Sequence, residues 1–216
     1  LTVSGTNTTT ASDTVAFTNV AGGTTIALSN AVDLDVTATF VTAATKGTAD
    51  AASVSLSGVD MTAAGDAVLT ISAGIETLNV NSTGSANEVG DLVFGGTTLN
   101  ITGDNNFTVD AGLDEAVSTI DASTFTGKLD LTSVDDTTTP DALSGTVDVV
   151  DLTVTGGSGN DTLVLTANGA DNEILVNSGA GDDTITIGAV MANASATLAG
   201  DIIDGGAGTD TLAGDV

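Results

Sequence analysis

The chain contains no cysteine, no histidine, no tryptophan and no tyrosine, and it carries two basic side chains, Lys46 and Lys128, and one proline, Pro140. Each absence removes a class of chemistry. Without thiols there are no disulfides, no zinc–thiolate sites and no cysteine nucleophile. Without imidazole there is no serine–histidine triad and no HExxH zinc motif, and no side chain has an unperturbed pKa near neutrality. Aromatic residues make up 2% of the chain, all of them Phe, so platforms for stacking bases or sugar rings are missing. These gaps argue against an enzyme.

Against the two lysines stand 29 acidic residues, for a formal charge of -27 at pH 7. That field repels phosphate backbones and anionic lipid, which excludes nucleic acid as a partner, and it attracts cations. The same charges repel one another in a compact state, so stability is expected to depend on bound cations. Yet only 14% of the residues are charged while 41% are hydrophobic, which is a folding composition and not that of a disordered acidic tail. No stretch approaches the roughly 18 apolar residues of a spanning helix, so no membrane insertion is expected. Leu1–Thr10 has neither the basic region nor the apolar run of a signal peptide. The final residues Thr211–Val216 (TLAGDV) echo Thr197–Ile202 (TLAGDI) and read as the start of another coil, hence as part of a longer protein.

Apolar positions recur through most of the chain: Val68, Leu78, Val89, Leu99, Val109, Ile120, Leu131, Leu152, Leu163, Ile174 and Ile185. The steps are 10 or 11 residues, except for a 21-residue gap after Leu131 with Leu143 near its middle. Around these positions apolar and polar residues alternate, as in Leu78-Asn79-Val80-Asn81 and Thr184-Ile185-Thr186-Ile187, which is the period of a strand. Turn clusters separate them, among them Ser82-Thr83-Gly84, Gly103-Asp104-Asn105-Asn106 and Gly179-Ala180-Gly181-Asp182. A strand of about five residues with a turn of about five or six leaves no room for a crossover helix. The expected fold is therefore all-β: a parallel β-roll or β-solenoid with coils of 20–22 residues. Its core would stack Val, Leu, Ile, Ala and Thr in ladders.

Three regions are expected. Residues 1–70 form irregular first coils, with a separate β-sandwich as the alternative; residues 71–145 form regular solenoid; residues 146–216 form a β-roll. Val15, Ile26, Val36 and Leu56 keep the phase in the first region, whereas Val41–Ser53 is Ala-rich without alternation and reads as a loop or short helical insertion. Met191–Gly200 reads as a second insertion, and Asp135–Asp141, which holds Pro140, as a loop that tolerates a missing amide donor.

The sharpest signal lies in the last region. Gly156–Val164 (GGSGNDTLV), Ser178–Thr186 (SGAGDDTIT) and Gly205–Ala213 (GGAGTDTLA) share one nine-residue pattern. Its glycines allow tight turns that expose carbonyl oxygens, and its sixth position, Asp161, Asp183 or Asp210, adds a carboxylate. Oxygen donors with negative charge suit a hard cation such as Ca2+. From Asp161 to Asp183 is 22 residues, one coil, so the two loops should stack on one edge with calcium between them. One loop would offer the carbonyls of Gly156 and Ser158 with Asp161, the next those of Gly179 and Gly181 with Asp183. Plain Gly-Asp turns that close strands are the alternative. The third loop, with Gly205, Ala207 and Asp210, has two registers: Asp201 stacks under Asp183, or residues 191–200 loop out and Asp210 stacks directly. Asp104, Asp110 and Asp114 lie in acidic turns that could also hold calcium or stand solvated. Asp121 suits a cap that accepts amide hydrogen bonds. Thr-x-Thr pairs at Thr37/Thr39, Thr153/Thr155 and Thr184/Thr186 read as outward strand residues or as a flat hydroxyl array. The sequons at Asn7, Asn81, Asn106 and Asn193 carry little weight in a Thr-rich chain.

Over residues 156–216 the segments GGSGNDTLV and GGAGTDTLA resemble the RTX (repeat-in-toxin) proteins. The preceding succession Gly74–Val80, Leu99–Gly103 and Val117–Gly127 extends the likeness, over roughly residues 70–216, to the branch of bacterial surface-layer (S-layer) proteins typified by Caulobacter. The resemblance implies an extracellular, cell-surface protein secreted by a type I system. It further implies self-assembly into a lattice through calcium, and anchoring to lipopolysaccharide by regions outside this chain. The chain departs from the family in lacking tandem nonapeptides, a C-terminal export signal and a lipopolysaccharide-anchoring domain. Two other roles use the same roll: the repeat region of a secreted adhesin or ice-binding protein, and the tail of a secreted hydrolase.

Overall fold

The computed structural model describes residues 1–6, 13–62, 67–113, 116–136, 150–167, 173–188 and 202–214. In chain order the strands begin with β1 (Thr2–Thr6), β2 (Asp13–Val20), β3 (Thr25–Val32), β4 (Leu34–Phe40), β5 (Ala51–Ser57) and β6 (Val68–Ile71). They continue with β7 (Thr77–Thr83), β8 (Asn87–Phe94), β9 (Thr98–Gly103), β10 (Phe107–Leu113), β11 (Thr119–Asp121) and β12 (Leu129–Asp136). The last six are β13 (Val150–Thr155), β14 (Thr162–Ala167), β15 (Glu173–Asn177), β16 (Thr184–Gly188), β17 (Ile202–Asp204) and β18 (Thr211–Gly214). Helix is confined, among the described residues, to one 3-10 turn at Thr42–Ala44.

Odd-numbered strands form one nine-stranded sheet and even-numbered strands a second, each in sequence order. Every strand pairs in parallel with the strand two places on, as in Leu78 beside Leu99 and Leu163 beside Ile185. Each coil thus contributes one strand to either sheet, and the chain is a parallel β-solenoid. Strands β1 to β5 belong to the same two sheets as the rest. No helix among the described residues is long and apolar enough to cross a membrane.

The core is a set of apolar columns between the sheets. One runs Leu78, Leu99, Ile120, all fully buried and in register. The facing column runs Val89, Val109, Leu131, Leu163 and Ile185, each at most 2% exposed. Phe94, Phe107 and Phe125 are the largest fully buried side chains. At β6 the inward residues are Leu69 and Ile71, beside Leu92 and Phe94 of β8, whereas Val68, which the spacing alone had placed inside, is only partly buried. The Ala-rich segment Val41–Ser53 is, as expected, a loop with a short helical turn at Thr42–Ala44, and only its last three residues enter β5, from which Ala52, Val54 and Leu56 point inward.

Coil length varies from rung to rung, and some strand pairs take up a bulge, as between β8 and β10 and between β10 and β12. Hydrogen-bonded positions in successive rungs are 21 residues apart at Asn79 and Asn100, 22 at Asp161 and Asp183, 27 at Asp183 and Asp210, and 32 at Leu129 and Asp161. Parallel rungs lie only about 4.8 Å apart, so a corner backbone has little space for side chains. Gly103 shows the effect: its φ is 115°, and a Cβ there would run into the Ser82 carbonyl. We expect Gly103→Ala to destabilise the fold by about 2–4 kcal/mol, combining backbone strain with backbone displacement. Gly95→Ala, where a Cβ would meet nothing within 4 Å, should leave the urea midpoint nearly unchanged. Equal effects of the two substitutions would contradict the close stacking.

Candidate metal site

All three nonapeptide loops fall at one corner of the solenoid, joining β13 to β14, β15 to β16 and β17 to β18. The strands that follow them are in register, Thr162 beside Thr184 and Thr184 beside Thr211. Asp161, Asp183 and Asp210 therefore form one column. Of the two registers open for the third loop, the structure has Asp210 directly over Asp183. Asp201 lies outside the described residues, as do Asp114 and the whole of Met191–Gly200.

Each carboxylate of the column reaches back to the rung before it. Asp161 Oδ1 accepts the Leu129 amide at 2.8 Å, Asp183 Oδ1 the Asp161 amide at 2.8 Å, and Asp210 Oδ1 the Asp183 amide at 3.1 Å. Asp161 Oδ2 also accepts the Gly157 amide at 3.2 Å. The adjacent position runs the other way: Asn160 Oδ1 accepts the Asp182 amide at 3.0 Å, and Asp182 Oδ1 the Thr209 amide at 2.9 Å. A further column opens the corner with turns in which a side chain accepts the amide two residues on. It contains Asp121 (to Ser123, 2.9 Å), Asn177 (to Gly179, 3.0 Å) and Asp204 (to Gly206, 2.9 Å). The Ser123 hydroxyl and amide hold the Asp121 carboxyl below its usual range. Sequence reading singled out Asp121 but missed Asn160, Asp182, Asn177 and Asp204, whose only signal is a polar residue at the same place in each loop.

The glycines let these corners stack. A Cβ on Gly157 would meet the Phe125 carbonyl, on Gly179 that of Gly157, and on Gly206 that of Gly179. A second column repeats this through Gly127, Gly159, Gly181 and Gly208. Loop carbonyls consequently face the next rung, where Gly157 O accepts the Ala180 amide and Gly179 O the Ala207 amide, each at 2.9 Å. A carbonyl keeps a second lone pair after one such bond, so these oxygens remain available as ligands.

The electrostatics of the column are unfavourable as it stands. Asp161 and Asp183 are each 1% exposed. Asp183 Oδ2 is buried with no hydrogen-bond partner among the described residues, which is costly for a carboxylate oxygen. Burial pushes the Asp161 carboxyl up from 3.8 to about 6; the Leu129 and Gly157 amides oppose that rise, Asp183 adds to it, and Lys128 opposes it. Lys128 itself pairs with Asp130 at 2.8 Å. A hard cation fits this setting, because the donors are all oxygen, one of them lacks a partner, and the carboxylates repel. Among the described residues no three or more Asp or Glu side chains gather as a metal cluster. A bound ion would therefore be held by paired carboxylates, Asp161 with Asp183 or Asp183 with Asp210, completed by carbonyls from Gly156, Ser158, Gly179, Gly181, Gly205 and Ala207.

The upstream acidic residues do not join the column. Asp104 is exposed and accepts the Asn105 side-chain amide at 2.8 Å, and Asp110 is exposed on β10. Comparison with known proteins places no constraint on the site: no protein-family model, no curated protein and no solved structure matches the chain.

The raised Asp161 pKa has a testable sign. Its folded value lies above the unfolded one, so the protonated form is favoured on folding; that contribution is complete below about pH 4 and is lost as pH rises through about 6. Thermal melts in chelator should show wild type losing up to about 3 kcal/mol relative to Asp161→Asn between pH 4 and 7. Parallel pH profiles for the two proteins would contradict the burial of an unneutralised carboxylate.

Proposed function

We propose that the chain is a calcium-stabilised structural repeat of a bacterial surface layer: extracellular, non-enzymatic and self-assembling. Calcium would bind in the nonapeptide corners between successive rungs and act structurally, its binding energy appearing as folding energy. The observation that carries this reading is the column of Asp161, Asp183 and Asp210, with the buried, unpartnered Asp183 Oδ2 at its centre. Millimolar calcium outside a cell suffices to fill sites of modest affinity. The likeness to RTX and S-layer proteins, the missing catalytic groups and the charge of -27 support the same reading. Subunits would associate through calcium at their acidic surfaces, and lipopolysaccharide attachment would belong to regions outside this chain.

One observation favours a second role. Thr77, Thr98, Thr119 and Thr153 stand side by side on adjacent strands, a flat row of hydroxyls suited to the stalk of an adhesin or to an ice-binding face. Thermal hysteresis in the purified chain would favour that role over the lattice.

Chelation is expected to collapse the β-sheet circular dichroism of the C-terminal coils and to disperse assemblies seen by electron microscopy. Insensitivity of both would falsify the reading. In a calcium titration, Asp161→Ala and Asp183→Ala should each weaken binding about tenfold or more. A titration unmoved by both substitutions would remove the ion from this corner.

A further inference from the structure

The aspartate column continues backward into rungs that have no carboxylate. In register beneath Asp161 come Leu129, then Phe107, then Asn87, all buried. Asn87 does what the aspartates do: its Oδ1 accepts the amide of the preceding rung, Val59, at 3.0 Å. That bond fixes the carboxamide orientation, because only the oxygen can accept. Its Nδ2 then donates into its own corner, to Ser82 Oγ at 2.7 Å, Ser85 O at 2.9 Å and Thr83 O at 3.2 Å. Asp183 occupies the same place in a loop that also begins with a buried serine, Ser178, whose hydroxyl donates to Gly205 O at 2.9 Å. Where Asn87 presents a donor, Asp183 presents Oδ2, an acceptor without a partner. The two loops also turn differently, with positive φ at Gly84 in one and at Gly179 and Gly181 in the other.

From this contrast we infer that the Asn87 carboxamide does in the upstream half of the solenoid the work that a cation does in the downstream half. The solenoid is then divided. Up to Leu129 the corner column is satisfied by amide donors or filled by Leu129 and Phe107, and needs no metal. From Asp161 onward it needs one. This inference rests on the calcium reading above but differs from it in what it forbids, namely metal dependence upstream.

Hydrogen exchange of the full chain, followed by mass spectrometry in calcium and in chelator, tests it. Chelation should speed exchange at residues 162–188 by about tenfold or more and leave residues 77–113 unchanged. Faster exchange along the whole chain would overturn the division while leaving calcium binding intact. No change anywhere would overturn the calcium reading and this inference with it. As a second arm, Asn87→Asp should lower the melting midpoint by about 10 °C, equally in calcium and in chelator, because the carboxylate lacks the donors that Nδ2 supplied. A melting midpoint of Asn87→Asp unchanged from wild type in chelator would overturn the role given to Asn87.

Discussion

A solenoid corner stacks backbone directly on backbone, and every polar atom it buries must find its partner in the rung above or below. Most of the structure follows from that constraint. It explains why glycines recur at fixed places in the corners and why side-chain oxygens form ladders that link amides one rung apart. It also isolates, among the described residues, one buried side-chain oxygen that the protein does not satisfy by itself. Asp183 gives one oxygen to the amide of Asp161 and leaves the other buried without a donor.

Each level of the molecule addresses the same problem with different means. The sheets satisfy the backbone by parallel pairing, and the apolar columns close the space between them. Small branched side chains make up most of this core, with Phe94, Phe107 and Phe125 as its largest members. At the nonapeptide corner the side chains divide the work by position. The fifth residue accepts an amide from the following rung and the sixth from the preceding one. Such paired ladders tie three rungs together, yet they bring carboxylates into a place where burial and mutual repulsion disfavour charge. A bound divalent ion, as proposed, would remove both objections at once.

The repeat, the strand period and the nonapeptides were legible in the sequence because each depends on residue type at fixed spacing. Leu78, Leu99 and Ile120 announce their column by spacing alone. The turn chemistry of Gly156–Asp161 likewise follows from glycine and aspartate in a set order. What stayed hidden depends on register between distant segments. The stacking of Asp210 on Asp183 could not be separated from the alternative through Asp201, because corner insertions change the count without changing the pairing. Val68 was placed inside because neighbouring apolar residues leave the phase ambiguous. Asn87 gave no signal at all, since a buried asparagine looks like a turn residue until its column is known.

The most direct test of the central claim is anomalous diffraction at a long wavelength from crystals grown with millimolar calcium. The account expects a calcium peak at the nonapeptide corner, with Asp183 Oδ2 about 2.4 Å from it and loop carbonyls completing the shell. A corner without such a peak, in which Asp183 Oδ2 is satisfied by a water molecule or a protein donor, would contradict it.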